Sequence, residues 1–253
     1  MTESGDNGLG GIDVVVLAGG LGTRIRSVLG DIPKVLAPIN GRPFLDHLLD
    51  HLAALGAGRV VLSLGVGADQ VRAHLDGRDL PLQVLAVAEP APLGTGGALR
   101  HVMPRLVGDP VMVMNGDTWL EADFAQFLAE HRRSGRAVSL LCVAVAEVSR
   151  YGRVEIAADG QVTRFAEKDP TLAGPGWING GAALLSRPAL DRLAAETGPS
   201  LERDFLAQLP PGWIFGWRAE GAAFIDIGTP ESLAEAGNVL PHDAIAAKGK
   251  TPG

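Results

Sequence analysis

Apolar residues fall into two kinds of run along the chain. Ile12 to Ala18, Val60 to Leu64, Leu82 to Ala88, Val111 to Met114 and Ala137 to Ala146 are short blocks, largely apolar and rich in Val and Leu, the pattern of strands, the first reading as a buried central strand and the last as one buried on both faces. Between them the spacing turns helical. Leu45, Leu48, Leu49, Leu52 and Leu55 share one face after Pro43 and before Gly56; Ala68 to Leu75 and Glu121 to Arg133, with Phe124, Phe127 and Leu128 inward, follow. Strands alternating with helices predict right-handed crossovers and a Rossmann-like α/β fold, a mostly parallel central sheet with helices on both faces. From Val148 the alternation breaks. Gly152 to Ile156 and Gln161 to Phe165 flank an Asp159-Gly160 turn and predict a β-hairpin, the start of a smaller lobe. Beyond Gly174-Pro-Gly176 come a strand at Trp177 to Leu185, helices at Pro188 to Glu196 and Leu201 to Leu209, strands at Trp213 to Arg218 and Ala222 to Asp226, and a helix at Pro230 to Asn238 begun near Thr229. Residues 12–238 are expected to form one domain, between a mobile, glycine-rich stretch at 1–11 and a short polar tail at 239–253. No internal repeat is present, and no run of hexapeptides that would build a β-helix.

Composition narrows the partners. With 253 residues and 46% hydrophobic content the chain can bury a sizeable core. A net charge of −7 argues against a nucleic-acid surface, which relies on clustered Lys and Arg, but leaves room for small phosphorylated substrates held by local charge. The apolar run at 137–146 is too short to span a bilayer and the N-terminus lacks a basic signal-peptide start, so a cytoplasmic protein without membrane contact is expected. Cys142, the single cysteine, lies inside that run and reads as a core residue. His47, Asp50 and His51 cluster on the polar face of their helix, but the glutamate of an H-E-x-x-H metal site is missing and a solvated face is the expectation.

Ligands of such sheets collect where strands end, so the segments leaving each strand carry the candidate chemistry. The first strand leaves into Leu17-Ala-Gly-Gly-Leu-Gly-Thr-Arg24, with Pro33-Lys34 beyond. Gly19, Gly20 and Gly22 lack the Cβ atoms that would block an anion from backbone N–H groups, and Arg24 and Lys34 add fixed positive charge. Two commoner motifs fail. From Gly20-Leu-Gly22 the third glycine of a dinucleotide fingerprint is replaced by Ile25, and Gly249-Lys250-Thr251 has Ala244 where a P-loop needs its first glycine. The third strand leaves into Glu89-Pro-Ala-Pro-Leu-Gly-Thr-Gly-Gly-Ala98, another glycine-rich turn opening a helix, and the fourth into Asn115-Gly-Asp117. Asp117 at that position suits magnesium beside phosphates, or else caps a turn.

These pieces in this order resemble the sugar-nucleotidyltransferase family, whose members join a nucleoside triphosphate to a sugar 1-phosphate. The resemblance rests on Leu17 to Arg24, Pro33-Lys34, Glu89 to Ala98, Asn115-Gly-Asp117, Glu167-Lys168, Asn179-Gly-Gly181 and Asp226-Ile-Gly-Thr-Pro230, and covers roughly residues 12–238. Arg24 to Lys34 followed by Ala37 to Leu45 is most similar to the D-glycero-α-D-manno-heptose 1-phosphate guanylyltransferases, with the mannose 1-phosphate enzymes sharing much of it. The resemblance implies a glycosyltransferase-A-like fold in which 12–146 bind the nucleotide and 147–238 supply the sugar lobe. It implies nucleotide contacts from Leu17, Ala18, Gly19, Gly20, Gly22, Thr23, Glu89, Gly94, Thr95, Asn115 and Gly116. Arg24 would hold the triphosphate, Lys34 the α-phosphate and Lys168 the sugar phosphate, while Gly152, Glu167, Asn179 and Gly180 would hold sugar hydroxyls and Asp117 and Asp226 magnesium. Asp169 stands between the Glu-Lys pair and Pro170, where the family often has proline directly. A homodimer is a family-level expectation.

The chemistry needs no nucleophilic side chain, because a sugar phosphate oxygen is itself a nucleophile; the protein has to align two polyanions and neutralise charge. No Ser-His-Asp triad is expected among the six histidines. Glu89 bears on the base. Guanine offers two neighbouring N–H donors to one carboxylate, whereas adenine and cytosine set an acceptor beside their amino group, so GTP is the expected donor. The alternative is that Glu89 caps the turn while backbone around Gly94 reads the base. Two other classes stay in view: a catalytically silent nucleotide-sugar-binding regulatory subunit, against which the presence of Arg24, Lys34, Asp117 and Asp226 counts, and a nicotinamide-dependent oxidoreductase, against which the broken fingerprint counts.

Overall fold

The architecture is read from a computed structural model that describes residues 8–20, 22–166 and 173–241. Strand β1 (Asp13–Ala18) is followed by a short helix α1 (Arg26–Leu29), a small two-stranded ribbon of β2 (Pro38–Ile39) and β3 (Arg42–Pro43), and helix α2 (Phe44–Ala54). Then come β4 (Arg59–Leu64), α3 (Ala68–Leu75), β5 (Gln83–Ala88), α4 (Gly94–Val102), β6 (Val111–Asn115), β7 (Thr118–Glu121), α5 (Phe124–Ser134) and β8 (Val138–Val145). The second part runs β9 (Arg153–Ile156), β10 (Val162–Ala166), β11 (Gly176–Leu185), α6 (Arg187–Ala194), β12 (Ile214–Arg218), β13 (Ala223–Asp226) and α7 (Pro230–Val239).

Seven strands form one sheet in the order β12-β8-β11-β6-β1-β4-β5, parallel except for β11, which runs antiparallel to β6 and β8. Side-chain alternation explains why helices cover both faces. Val14 and Val16 of β1 join the apolar cluster that also takes in Leu45, Leu48 and Leu52 of α2 and Phe124 and Phe127 of α5. Val15, between them, points the other way, into the cluster with Leu99 and Val102 of α4 and Leu190 and Leu193 of α6. β4, β6 and β8 divide in the same manner, so strands apolar on both faces require a covered sheet. This is the α/β, mostly parallel architecture expected, of the glycosyltransferase-A-like kind, and the β9–β10 hairpin and the β7–β13 ribbon stand apart from the main sheet.

Several local expectations are corrected. The helix expected from Glu121 begins at Phe124, because the Asp123 carboxylate accepts the Gln126 N–H at 2.8 Å and caps it there. Thr118 to Glu121 instead forms β7, which pairs with β13 and buries Trp119. The expected helix at 201–209 is one π-helical turn over Leu201–Phe205 followed by a 3-10 turn at Leu206–Gln208. Within the stretch taken as mobile, Leu9 is fully buried and donates its N–H to the Leu55 carbonyl at 2.8 Å. Leu240, in the expected polar tail, is buried too.

The His47 cluster is not a solvated face. His47 is buried with Nε2 3.0 Å from the Ile39 carbonyl, and His51 lies partly buried against Trp119, its Nε2 3.1 Å from the Leu120 carbonyl. Asp50 alone is exposed, where it pairs with Arg42. Cys142 is buried, as expected, and burial pushes its thiol up to about 12. No helix among the described residues is long and apolar enough to cross a membrane.

Candidate active site

The C-terminal ends of β1, β4, β5 and β6 lie along one edge of the sheet, since parallel neighbours in register finish together: Ala18 is level with Leu64, Leu64 with Ala88, and Leu17 with Asn115. Two cavities open there. One, of about 370 Å³, is lined by Leu17 to Gly20, Lys34, Glu89, Gly94, Thr95, Asn115, Gly116 and Asp117. The other, of about 410 Å³, is lined by Arg24, Tyr151, Phe165, Asn179, Gly181 and Asp226. Asn115, Asp117 and Glu202 belong to both walls. A larger groove of about 600 Å³ beside edge strand β5 contains none of these groups.

Each wall has a local cause. Glu89 leaves β5 and caps the turn into α4, its Oε2 accepting the Leu93 N–H at 3.0 Å and its Oε1 the Ser63 hydroxyl at 3.3 Å. Of the two readings of Glu89, the turn cap is therefore the one its bonds express, and the carboxylate still faces the first cavity. Gly94 has φ +72°, and a Cβ there would stand 2.5 Å from the Pro199 carbonyl oxygen, so only glycine lets the loop at 198–200 close over α4. That loop is pinned: Gly96 N–H donates to Pro199 O at 2.8 Å and Leu201 N–H to Thr95 Oγ1 at 2.8 Å.

Asp117 and Asp226, 109 positions apart, are brought together by the β7–β13 ribbon, not by the main sheet. Asp226 pairs in register with Thr118, and Ile227 N–H donates to the Asp117 carbonyl at 2.9 Å, which puts the two aspartates on adjoining rungs. Lys34 Nζ donates to Asp117 Oδ2 and keeps only 14% of its side chain exposed. Asp226 takes the Tyr151 hydroxyl on Oδ2 at 2.8 Å and the Gly228 N–H on Oδ1 at 2.9 Å. Burial, and then the hydrogen bond and negative charge of Asp226, push the Tyr151 phenol up to about 12. Two carboxylates suit a hard cation, which takes one or two of them and fills its octahedron with waters and substrate phosphates. Among the described residues no third His, Cys, Asp or Glu completes a metal cluster, so a cation here would need substrate oxygens.

On the sugar side, Asn179-Gly-Gly181 is a β-bulge in β11: the register with β8 shifts between Asn179 and Ala183, and Asn179 Oδ1 accepts the Gly181 N–H at 3.1 Å. Gly181, with φ +82°, lines the cavity, while Gly180 lies buried against Leu141. Gly152, also at positive φ, is not in the wall; Ser149, Arg150 and Tyr151 before it are. Gly22 and Thr23 line a third cleft, which shares Gly20 and Lys34 with the first cavity, and Arg24 is exposed in the wall of the second cavity with no bonded partner among the described residues. Glu167 and Lys168 lie outside the described residues. Tyr151 and Glu202 are site residues that sequence reasoning missed. The signal for the first was its place beside Gly152, and for the second none stood out in the run after Ser200.

Residues 13–242 match the nucleotidyl transferase family model. The chain belongs to the nucleotidyl transferase family. Among relatives, it is 38% identical over 228 residues to the mannose-1-phosphate guanylyltransferase of Mycobacterium tuberculosis, covering 88% of this chain but 62% of that protein. It is 31% identical over 232 residues to the D-glycero-alpha-D-manno-heptose 1-phosphate guanylyltransferase of Aneurinibacillus thermoaerophilus, covering 91% of this chain and 99% of that one. HddC from Yersinia pseudotuberculosis superposes with TM-score 0.79 at 36% identity, covering 90% of this chain and 98% of HddC. A second structure of HddC, complexed with GMP-PN, gives 0.78 at 35%. As a nucleotidyl transferase the chain has the two-cavity edge such chemistry needs, one cavity reaching the glycine loop and the other the second lobe.

Proposed function

We propose that this nucleotidyl transferase moves a guanylyl group from GTP to a sugar 1-phosphate, D-glycero-α-D-manno-heptose 1-phosphate first among acceptors, giving a nucleotide sugar and pyrophosphate. The observation that carries the reading is the meeting of two cavities at Asn115 and Asp117, with Lys34 beside the seam. Guanine is favoured by the guanylyltransferase relatives and by the guanine nucleotide in the HddC complex. In this reading residues 12–146 carry the nucleotide half and 147–238 the sugar half. Mannose 1-phosphate is the second acceptor, favoured by the 38% identity to the Mycobacterium tuberculosis enzyme.

An oxygen of the sugar 1-phosphate attacks the α-phosphorus of GTP as the bond from that phosphorus to the oxygen of the departing pyrophosphate breaks. The attacking oxygen is already anionic, so no proton has to be moved and no side chain acts as nucleophile. Lys34 would lie against the α-phosphate and exchange Asp117 for it, Arg24 at the mouth would meet phosphate oxygens, and Lys168 would meet the sugar phosphate by resemblance to the family. Asn179, placed by its bulge, would hold a sugar hydroxyl. Asp117 and Asp226 fit magnesium, which when bound supplies positive charge to both phosphate groups. A dimer is the family expectation for the working form.

Pyrophosphate release across a matrix of triphosphates and sugar 1-phosphates, with magnesium or with chelator, tests the reading. GTP with the manno-configured heptose or hexose should give release that needs magnesium and collapses in Asp226→Asn. Preference for UTP, dTTP or ATP with the same acceptor would end the guanylyl assignment, and full activity in chelator would end the metal assignment.

A further inference from the structure

Glu202 is an acidic residue of this edge that neither the metal, the phosphates nor, as for Glu89, a turn cap accounts for. It sits in the π-helical turn Leu201–Phe205, capped by Ser200, and it lines both cavities. π-helical turns often mark functional positions, and this one is built to hold a carboxylate still. Thr95 Oγ1 donates to Glu202 Oε2 at 2.9 Å and Ser200 Oγ to the same oxygen at 3.3 Å. Thr95 is itself fixed by accepting the Leu201 N–H, and Asp204 holds the base of the loop by accepting the Ser200 N–H at 2.8 Å. Both donors fall on Oε2, and Oε1 has no hydrogen-bond partner among the described residues.

The chemistry of that free oxygen excludes most partners. A carboxylate is acceptor-only, so a phosphate oxygen against it would be repelled. Its holders are neutral hydroxyls, and among the described residues no cation is bonded to it, so there its charge is not spent on an ion pair. No group of three acidic, His or Cys residues among the described ones could share a metal, which sets Glu202 apart from Asp117 and Asp226. What remains is a neutral donor, and because Glu202 belongs to both walls, at the seam between a nucleotide and a sugar, the hydroxyls of ribose and sugar are the donors that face it rather than the N–H edge of the base. We propose that Glu202 is a specificity-determining residue whose free Oε1 accepts a hydrogen bond from a ring hydroxyl at the junction of the two cavities, of the acceptor sugar or of the nucleotide's ribose. This rests on the nucleotidyl-transfer reading. A carboxylate held this way recognises its hydroxyl more strongly than a neutral acceptor would, and substrates lacking that group leave it facing nothing.

Pairing enzyme and substrate deletions tests it. Wild type, Glu202→Gln and Glu202→Ala are assayed for pyrophosphate release with GTP, 2′-deoxyGTP and 3′-deoxyGTP against D-glycero-α-D-manno-heptose 1-phosphate and mannose 1-phosphate, and with GTP against monodeoxy analogues of the acceptor that wild type turns over. One deletion should cost wild type about 10- to 100-fold in kcat/KM, the range for a hydrogen bond to a charged group. Glu202→Ala should lose about as much with the complete substrates and be indifferent to that one deletion. The series in which the indifference occurs names the source, ribose or sugar. Glu202→Gln keeps the shape and one acceptor oxygen, so it should fall roughly tenfold at most, and it carries the comparison if melting shows that the alanine variant is misfolded. Losses that simply multiply for every analogue, or no loss in either variant, overturn the role of Glu202. Wild type that releases no pyrophosphate from any pair overturns the nucleotidyl-transfer reading itself, and this inference with it.

Discussion

Removing one hydroxyl should show how Asp226 is held. Tyr151→Phe deletes the O–H that donates to Asp226 Oδ2 at 2.8 Å and leaves the ring, which packs edge-on against Phe224 at 5.5 Å between centroids. The Gly228 N–H still holds Oδ1, so the carboxylate stays in the site but can turn about one remaining anchor. A hydrogen bond to a charged group is worth about 1.5–3 kcal/mol, so a loss of roughly 10- to 100-fold in kcat/KM is expected if the orientation of Asp226 matters to the reaction. Raised magnesium should recover part of that loss, because the defect lies in presenting the carboxylate proposed to hold it.

The same contact has a spectroscopic signature. Tyr151 is the chain's single tyrosine, so the alkaline absorbance titration of tyrosinate reports on it alone. The midpoint should lie near 12 in the wild type and fall in Asp226→Asn without returning to the ordinary value of 10.0, since burial, the larger cause, remains. The linkage sign follows. The folded-state value lies above the unfolded one, so this contribution to stability is complete below pH 10 and is lost as pH rises towards 12. A wild-type midpoint at 10, or a Tyr151→Phe enzyme with unchanged kcat/KM and magnesium dependence, would refute the reasoning.

Further outcomes follow from other contacts. Lys34→Met should cut kcat by about 10²- to 10³-fold, as loss of a preorganised charge-stabilising group does, with melting temperature changed little. Gly94→Ala should lower stability by at least ~1–2 kcal/mol in denaturant titration, because φ +72° is a left-handed conformation and the new methyl meets the Pro199 carbonyl. His131 is buried between Ser139 Oγ at 2.7 Å and Ser186 Oγ at 2.8 Å, and burial lowers its pKa from 6.5 to about 4. Because the folded-state value is the depressed one, stability should be intact above pH 6.5 and fall as pH drops towards 4, by up to ~1.4 kcal/mol per pH unit from this proton. His131→Gln should flatten that part of a pH–stability curve, and an unchanged slope would remove His131 as its cause.

Legibility from sequence followed the range of the interaction concerned. Strand boundaries were readable because β1, β4, β6 and β8 bury both faces, which forces near-continuous apolar runs whatever the rest of the chain does. The glycine loop and Asn115-Gly-Asp117 were readable for a related reason: each sits directly after such a strand, where topology alone puts it at the ligand edge, whereas Lys34, beyond α1, was readable through the Pro33-Lys34 step of the family resemblance. β7 was not. Thr118 to Glu121 has too few residues to show a period, and its strand character comes from β13, more than a hundred residues later. Asp117 and Asp226 were paired by the family resemblance alone, and the device that brings them together is this separate ribbon, whose β7 half the local sequence does not announce. Glu202 was hidden by the opposite effect. Local spacing at 201–209 reads as an ordinary amphipathic helix, but Thr95 and Gly96 of α4 pin its entry at Leu201 and Pro199, and the segment folds as a single π-helical turn followed by a 3-10 turn, with Glu202 in the wall of both cavities. Patterns fixed by one element's own burial can be read in one dimension. A side chain whose position is set by a bond from another element cannot, and in this chain those are Tyr151, in the wall of the second cavity, and Glu202, in the wall of both.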